Sequence, residues 1–363
     1  MNRYIIWGTG VRAVNFYKFY ETSRQYQPIE IVGFIDNNPG KWGEMFLGNK
    51  IYSPQEIKKL NFDYIDIWMK DVGNVKKQLV EELGIEEEKI KSCFDILKDL
   101  LKKKYHNTED DEIHDFLKIM DTQYTTEIFS YHPVREDMER EMVFDDNKAM
   151  YYVDFEGKRL YLASSFQNYI VKDGKRFARN LWQEQDENSP HLYTDEIVAV
   201  KKGDIIVDAG ACEGNFTLHN IDKIKKAYLI ECDEEWMRAL QATFEPYKDK
   251  IEFCNKFLSN YDSDMTIKLD SLIEESVDFI KMDIEGEEIN ALLGAEKIFS
   301  RSSSIKCAVC SYHRHGDEKR IKEILEKYGL YTYPSKGYMF FIYDDSIWEN
   351  PELRRGIVRG YKR

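Results

Sequence analysis

The run Val207-Asp208-Ala209-Gly210-Ala211-Cys212-Glu213-Gly214-Asn215 constrains the fold more than any other stretch of the chain. An apolar strand passes straight into a glycine-rich turn, and a helix begins at once. That order belongs to α/β folds with a parallel sheet, in which ligands lie beyond the carboxyl ends of the strands. Gly210 and Gly214 let backbone approach a ligand closely, and the new helix offers free amides. Taken alone, such a turn is shared by structural loops and dinucleotide sites. The next strand ends at Glu231, about twenty residues on, where a carboxylate can accept both hydroxyls of a ribose. That pairing is common to NAD and S-adenosylmethionine sites. The G-x-x-x-G spacing, unlike G-x-G-x-x-G, favours the second because no pyrophosphate needs cradling. The plainer alternative is that Glu231 only closes a strand, and that Asp208 caps the turn instead of holding the cofactor's amine.

Strand–helix alternation surrounds this run. Residues 205–208, 227–230, 251–254, 277–282 and 305–311 read as strands, and 234–244, 287–299 and 317–328 as helices, with another starting at Asn215. Residues 330–333 and 337–343 make a closing hairpin-like pair. A smaller α/β rhythm opens the chain: strands at 4–7, 29–35 and 64–68, and helices at 11–20, 72–83 and 86–101. Ser53-Pro54 followed by Glu56 marks a helix start. Between the two, residues 113–120 are helical, 151–161 have hairpin character, and 181–193 read as a long polar loop of the kind that carries binding residues. With 363 residues, against roughly 100–200 per domain, two domains are expected. The expected organisation is a smaller α/β domain at 1–105, a connecting segment with helix, hairpin and polar loop at 106–201, a cofactor-binding domain at 202–345, and a tail at 346–363.

Composition excludes several partners. The net charge of -14 repels phosphate backbones, and the basic runs Lys102-Lys103-Lys104 and Arg354-Arg355 are short enough to be solvated helix and tail surface. No nucleic-acid partner is expected. Six Cys without framework spacing point to free thiols in a reducing compartment. The opening MNRYIIWGTG reads as strand and turn, not as a signal peptide, and no apolar run approaches the ~20 residues that span a bilayer. A cytoplasmic protein with a small-molecule partner is expected, and homo-oligomers are compatible with the sequence.

Chemistry is expected at the ends of the fourth and fifth strands. Asp283 closes the fourth, with Glu285 two residues on and Gly286 turning into a helix. The fifth runs into Tyr312-His313-Arg314-His315. A protic nucleophile attacking a methyl sulfonium must lose its proton, and an imidazole suits that task near neutral pH. His313 is therefore the expected base or substrate orienter, with Asp283 its partner; His315 reads as surface. A divalent metal on Asp283, Glu285 and His313 is compatible with the residue types but not required by their spacing, so no metal is expected. Cys307 and Cys310 have metal-like spacing inside a strand without a second pair, and read as core thiols. In the polar loop, Glu184, Gln185, His191 and Tyr193 are candidates to close over cofactor or substrate, and His191 is the rival general base.

Four places resemble the FkbM-type methyltransferases. They are Gly203-Asp204 leading into DAGACEG; Glu231-Cys232-Asp233; Leu269-Asp270-Ser271-Leu272; and Asp278-Phe279-Ile280-Lys281-Met282-Asp283-Ile284-Glu285-Gly286-Glu287, continuing to Leu292, Leu293 and Gly294. Residues 184–193, EQDENSPHLY, also resemble the segment preceding the catalytic domain in a bacterial subset of that family. The resemblance covers about half the chain. It implies a seven-stranded Rossmann-like methyltransferase fold and S-adenosylmethionine as cofactor. It implies methyl transfer mainly to sugar hydroxyls of natural products and surface glycans, and so a role in polysaccharide biosynthesis. The cofactor set it implies is Asp208, Gly210, Ala211, Gly214 and Asn215 around the methionine part, Glu231 and Cys232 at the ribose, Phe257 with Lys256 near the adenine, and Asp283. Adjacent fourth and fifth strands would let Asp283 and His313 converge, with Glu184, Gln185, Tyr193, Glu285 and His313 on the substrate. Cys212 and Glu213 depart from the usual pattern. Glu213 is expected to face outward, or toward substrate or the neighbouring polar loop, and Cys212 to be a packed side chain.

The opening Trp7-Gly8-Thr9-Gly10, then Gly33-Phe34-Ile35-Asp36-Asn37-Asn38, then Gly48-Asn49-Lys50-Ile51-Tyr52-Ser53-Pro54, resemble a nucleotide-binding-like domain attached to enzymes of bacterial sugar and glycan synthesis. Asp36 lies near where a ribose-binding acid belongs, but the third fingerprint glycine is missing, with Ala13 nearest its place. Recognition of a nucleotide-activated sugar or a scaffold role is favoured over redox chemistry. Two rival readings follow: an NAD-dependent sugar oxidoreductase using the first domain, for which no Tyr-x-x-x-Lys pair is visible, or a non-catalytic protein that binds nucleotide sugars or glycans.

Overall fold

The computed structural model describes residues 2–11, 13–14, 16–17, 29–69, 72–122, 139–341, 344–348 and 350–362. The chain divides into two compact units, Met1–Ser130 with Phe340–Leu353, and Tyr131–Met339 with Arg354–Arg363.

The first unit holds β1 (Asn2–Trp7), β2 (Ile29–Ile35), β3 (Met45–Phe46), β4 (Asn49–Tyr52), β5 (Tyr64–Ile67) and β6 (Ile90–Ser92) in one six-stranded sheet of order β3-β4-β2-β1-β5-β6. All neighbours are parallel except the β3–β4 hairpin. Ser53 and Glu56 form the capping box of a short 3-10 helix, Pro54–Lys59. The helix expected at 86–101 is broken: Ile90–Ser92 joins the sheet, and Ser92 then caps helix Cys93–Lys104 through Asp95. The helix expected at 72–83 is Val72–Lys77, continued as a wider π turn over Gln78–Glu82. The helix expected at 11–20 falls largely outside the described residues.

The second unit opens with an antiparallel meander, β7 (Met142–Asp145), β8 (Met150–Phe155) and β9 (Lys158–Tyr161), followed by helix Gln167–Gln183. That helix takes in the first three residues of the expected polar loop, because Leu181 continues its buried face. The main sheet has seven strands: β10 (Ile205–Ala209), β11 (Lys226–Ile230), β12 (Ile251–Cys254), β15 (Phe279–Met282), β16 (Lys306–Cys310), β17 (Tyr331–Pro334) and β18 (Ile357–Tyr361). The two-residue pieces β13 (Phe257–Leu258) and β14 (Thr266–Ile267) pair separately. Sheet order is β12-β11-β10-β15-β16-β18-β17, parallel from β12 to β16. β10, β11, β15 and β16 are buried almost throughout, as a parallel sheet covered on both faces requires. The order reverses between β10 and β15, so the crevice at their carboxyl ends is where a ligand fits.

Four expectations are corrected here. Residues 337–341 do not pair with 331–334, and 342–343 lie outside the described residues; β17 pairs antiparallel with β18 instead. β18 thus lies between β16 and β17, and residues 346–363 are no tail, since Ile357 and Val358 carry core side chains into the sheet. Arg354, expected as solvated, is buried and donates to the carbonyls of Tyr312 and His313 at 2.9 and 3.0 Å. The helix expected at 287–299 is two, Glu288–Leu293 and Glu296–Arg301. Gly294 separates them, where a Cβ would stand 2.2 Å from the carbonyl oxygen of Ser259. No helix among the described residues is long and apolar enough to cross a membrane.

Candidate active site

The turn after β10 is shaped by its glycines. Gly210 has φ +68°, and a Cβ there would stand 1.7 Å from the carbonyl oxygen of Asp283. Gly214 has φ +80°, and its Cβ would meet Leu240 at 2.6 Å and Phe244 at 2.8 Å. The amides of Gly210 and Ala211 both donate to the Ile230 carbonyl, at 2.9 and 3.1 Å, tying the turn to the end of β11. Cys212 takes a left-handed conformation, φ +43°, unusual for a side chain of its kind. Its amide donates to Glu231 Oε2 at 3.0 Å, while the Asp233 amide donates to Oε1 at 2.9 Å. Glu231 is buried, yet each of its oxygens keeps a further lone pair, which is what the two hydroxyls of a ribose would take. Asn215 starts helix Asn215–Asn220 directly after Gly214. Cys232 is exposed, and Phe257, in β13, is half exposed.

Beneath the turn lies an ion pair that sequence reasoning missed. Lys281 and Asp208 are buried side by side on β15 and β10, Nζ to Oδ1 3.1 Å apart. Thr217 donates to Asp208 Oδ2 at 2.7 Å, and Lys281 reaches the Gly210 carbonyl at 2.5 Å. Asp208 is therefore engaged below the turn by Lys281 and Thr217. Burial works against the charge of Lys281, but Asp208 and Asp283 outweigh it and its proton is held more tightly than in water. The signal was a lysine inside a strand whose other residues are all apolar.

Asp283 is the hub of the site. The Tyr193 hydroxyl donates to its Oδ2 at 2.9 Å, and the Tyr312 hydroxyl to Oδ1 at 3.4 Å. His191 Nε2 stands 3.3 Å from Oδ2 and His313 Nε2 3.4 Å from Oδ1. Burial opposes ionisation here; His191, then His313 and Lys281, outweigh it and hold the carboxyl well below its usual range. Both histidines are buried. His191 Nε2 also lies 3.3 Å from the Tyr312 hydroxyl and 3.6 Å from Cys310 Sγ, and Gln185 faces its Nδ1 at 3.5 Å. His313 meets a second carboxylate on its other nitrogen, Glu288 Oε1 at 3.1 Å, and Glu285 only at 3.7 Å. Burial disfavours the imidazolium, but Glu288, Asp283 and Glu285 raise its pKa to about 9. His313 is thus a cation at neutral pH, which conflicts with its expected role as a base. Asp283, Glu288 and His313 each bring a ligand-capable atom within 4.8 Å of the others; the imidazolium itself supplies positive charge to that cluster.

A second acidic group borders the turn. Glu213 does not face outward: burial raises the proton affinity of its carboxyl, opposed by the Cys212 thiol and Lys281. Glu184, at the end of helix Gln167–Gln183, is pushed well above the usual carboxylate range by burial, then by the charges of Glu213 and Asp283. The Cys212 thiol is pushed well up by burial and by Glu213, the opposite of an activated nucleophile. Cys307 and Cys310 are core thiols, the first pushed up to about 12 by burial.

Comparison with known proteins bears on this arrangement directly. Residues 159–334 match the Methyltransferase FkbM domain. That domain makes the chain methyltransferase-like and spans every site residue described above. Residues 1–91 match the family described as C2185-like, N-terminal. Among solved structures, the methyltransferase FkbM from Methylobacillus flagellatus KT is 16% identical, with 99% of this chain and 90% of that chain covered and a TM-score of 0.47. Magnesium protoporphyrin IX methyltransferase from Synechocystis PCC 6803, solved with S-adenosylmethionine bound, is 14% identical over 45% of this chain and 71% of that one, TM-score 0.32. A methyltransferase from Aquifex aeolicus dependent on the same cofactor is 16% identical over 45% and 83%, TM-score 0.29. Comparison with curated proteins gives no match.

Two arginines of the C-terminal segment brace this site. Arg359, on β18, donates to the carbonyls of Tyr193, at 3.1 Å, and Leu192, and pairs with Asp195 at 3.3 Å. Arg354 holds the backbone of Tyr312 and His313. They fix the two segments that deliver Tyr193 and His313 to Asp283. Neither was expected in this role, because nothing local to residues 354–359 reports strand insertion.

Proposed function

We propose that the chain transfers the methyl group of S-adenosylmethionine to a hydroxyl of a sugar or glycan precursor. The observation that carries the cofactor half is Glu231, buried at the end of β11 and oriented by the amides of Cys212 and Asp233. Glu184 and Glu213 border the turn as buried carboxyls with raised proton affinity, which the sulfonium and ammonium of a bound cofactor would draw toward the ionised form. When bound, the cofactor supplies an electrophilic methyl carbon.

The protein's own residues align the acceptor and handle its proton. Asp283, ionised and partly exposed, accepts the acceptor's hydroxyl hydrogen and aims its oxygen. The proton leaves toward the Asp283–His191 pair. His313, already protonated near neutral pH, orients Asp283 and offsets its charge. Alignment supplies most of the rate, and the base relieves charge that develops late. Tyr193, Gln185 and Glu184 lie on the loop side, where a sugar's hydroxyls need short polar groups and an aromatic platform. The sugar acceptor itself is favoured by the FkbM-type domain and by this polar, aromatic lining.

The test is transfer of isotope-labelled methyl to a panel of nucleotide sugars, free sugars and simple alcohols, read by mass spectrometry. Label on a sugar hydroxyl, lost in Asp283→Asn while S-adenosylhomocysteine still binds, is the expected result. Label appearing on nitrogen or on non-sugar alcohols alone would overturn the acceptor assignment.

A further inference from the structure

We infer that the first unit carries a second ligand site, for a nucleoside diphosphate, in the crevice between the ends of β1, β2 and β5. Its sheet order reverses at β1, which has β2 on one side and β5 on the other, and all three run parallel. A parallel α/β sheet binds its ligands beyond the carboxyl ends of the strands at such a reversal. A cavity of about 360 Å³ lies at that place, bordered by Gly8, Thr9, Gly10, Asp36, Lys41 and Trp68. That size is within the range of small-molecule sites.

The lining has the chemistry of a sugar diphosphate. Gly8, φ +119°, brings the turn against β5, where a Cβ would stand 3.0 Å from the Trp68 carbonyl oxygen. Among the described residues no atom lies within 4 Å of where a Cβ at Gly10 would be, which leaves the backbone open to a ligand on that side. Asp36, at the end of β2, is where a carboxylate meets ribose hydroxyls. It is mostly buried and organised: its Oδ1 accepts from the Asn38 amide at 2.8 Å, and Thr9 donates to its Oδ2. Lys41 Nζ lies 3.0 Å from both Asp36 Oδ2 and the Thr9 hydroxyl and is about one-third exposed. The acid is thus placed for the ribose and the ammonium for phosphate oxygens. With G-x-G at 8–10 and no third glycine, the turn fits a diphosphate without the helix packing of a full dinucleotide fingerprint. None of this depends on methyl transfer in the second unit, so the two proposals fail separately.

The experiment is calorimetric titration of the full-length protein with UDP, ADP, UDP-N-acetylglucosamine and NAD. It is repeated on Lys41→Ala, and on Gly10→Leu, which places an apolar side chain on the border of the cavity. Melting temperatures and S-adenosylhomocysteine titrations on each variant report folding and the second unit. The expected result is binding of UDP or ADP that weakens at least tenfold in both variants, with both controls unchanged. A nucleotide sugar binding more tightly than NAD identifies the activated sugar as the source of the diphosphate; the reverse order identifies a dinucleotide. No binding of any of the four at millimolar concentration, or equal binding to the variants, overturns the site.

Discussion

Lys281 and Asp208 face each other at 3.1 Å in the middle of the second unit's sheet, both buried, with the lysine also reaching the Gly210 carbonyl of the cofactor turn. Removing one partner of such a pair leaves an uncompensated buried charge, at a cost of roughly 3–5 kcal/mol, whereas replacing both with apolar groups costs far less. Lys281→Met is expected to lower unfolding stability by about that amount, and Lys281→Met with Asp208→Leu to recover much of it. Urea denaturation of the two variants checks this. A single variant as stable as the parent would show that the pair contributes nothing.

Gly210 makes a second, sharper demand. An added methyl would overlap the Asp283 carbonyl oxygen at 1.7 Å, on a backbone with φ +68°. Both the left-handed strain and the overlap oppose Gly210→Ala, so a loss of roughly 3 kcal/mol or more is expected. Because β10 and β15 must part to admit it, S-adenosylhomocysteine affinity should fall with stability. Retained affinity in a fully folded Gly210→Ala protein would contradict the geometry of this turn.

His313 sets a pH dependence whose sign is fixed by its partners. Its pKa is raised to about 9 in the folded protein from about 6.5 in an open chain. The stabilisation is fully present below pH 6.5 and is lost as pH rises through 9. At about 1.4 kcal/mol per pKa unit it amounts to roughly 3 kcal/mol. Urea midpoints of the parent and His313→Gln, taken from pH 6 to pH 9.5, should therefore converge with rising pH. A constant gap would mean that the His313 pKa is the same in the folded and the unfolded chain.

His191 has a different expected signature. It faces one carboxylate, Asp283, where His313 faces three. His191→Gln should lower kcat at least tenfold with KM nearly unchanged, and flatten the acid limb of the pH–rate profile. An unaltered profile would remove His191 from proton transfer.

How much of this was legible in the sequence follows from the range of the contacts involved. The strand–turn–helix around Gly210 and the carboxylate at Glu231 are local features, and local features read well. Asp283 and His313 were legible as strand ends. The charge state of His313 was not, because it depends on Glu288, which looks like an ordinary first-turn residue of its helix. Lys281–Asp208 and Arg359–Tyr193 join residues far apart in the chain, so no spacing reports them. The antiparallel insertion of β18 was hidden for the same reason: its partners β16 and β17 both precede it, while local pattern suggested only a tail.

The central claim is that Glu231 holds the ribose of S-adenosylmethionine at the end of β11. Calorimetric titration of full-length protein and of Glu231→Ala with S-adenosylhomocysteine tests it most directly. Binding to the parent should weaken at least tenfold in the variant, about 1.4 kcal/mol or more. Absence of binding to the folded parent, or equal affinity for both proteins, would contradict it.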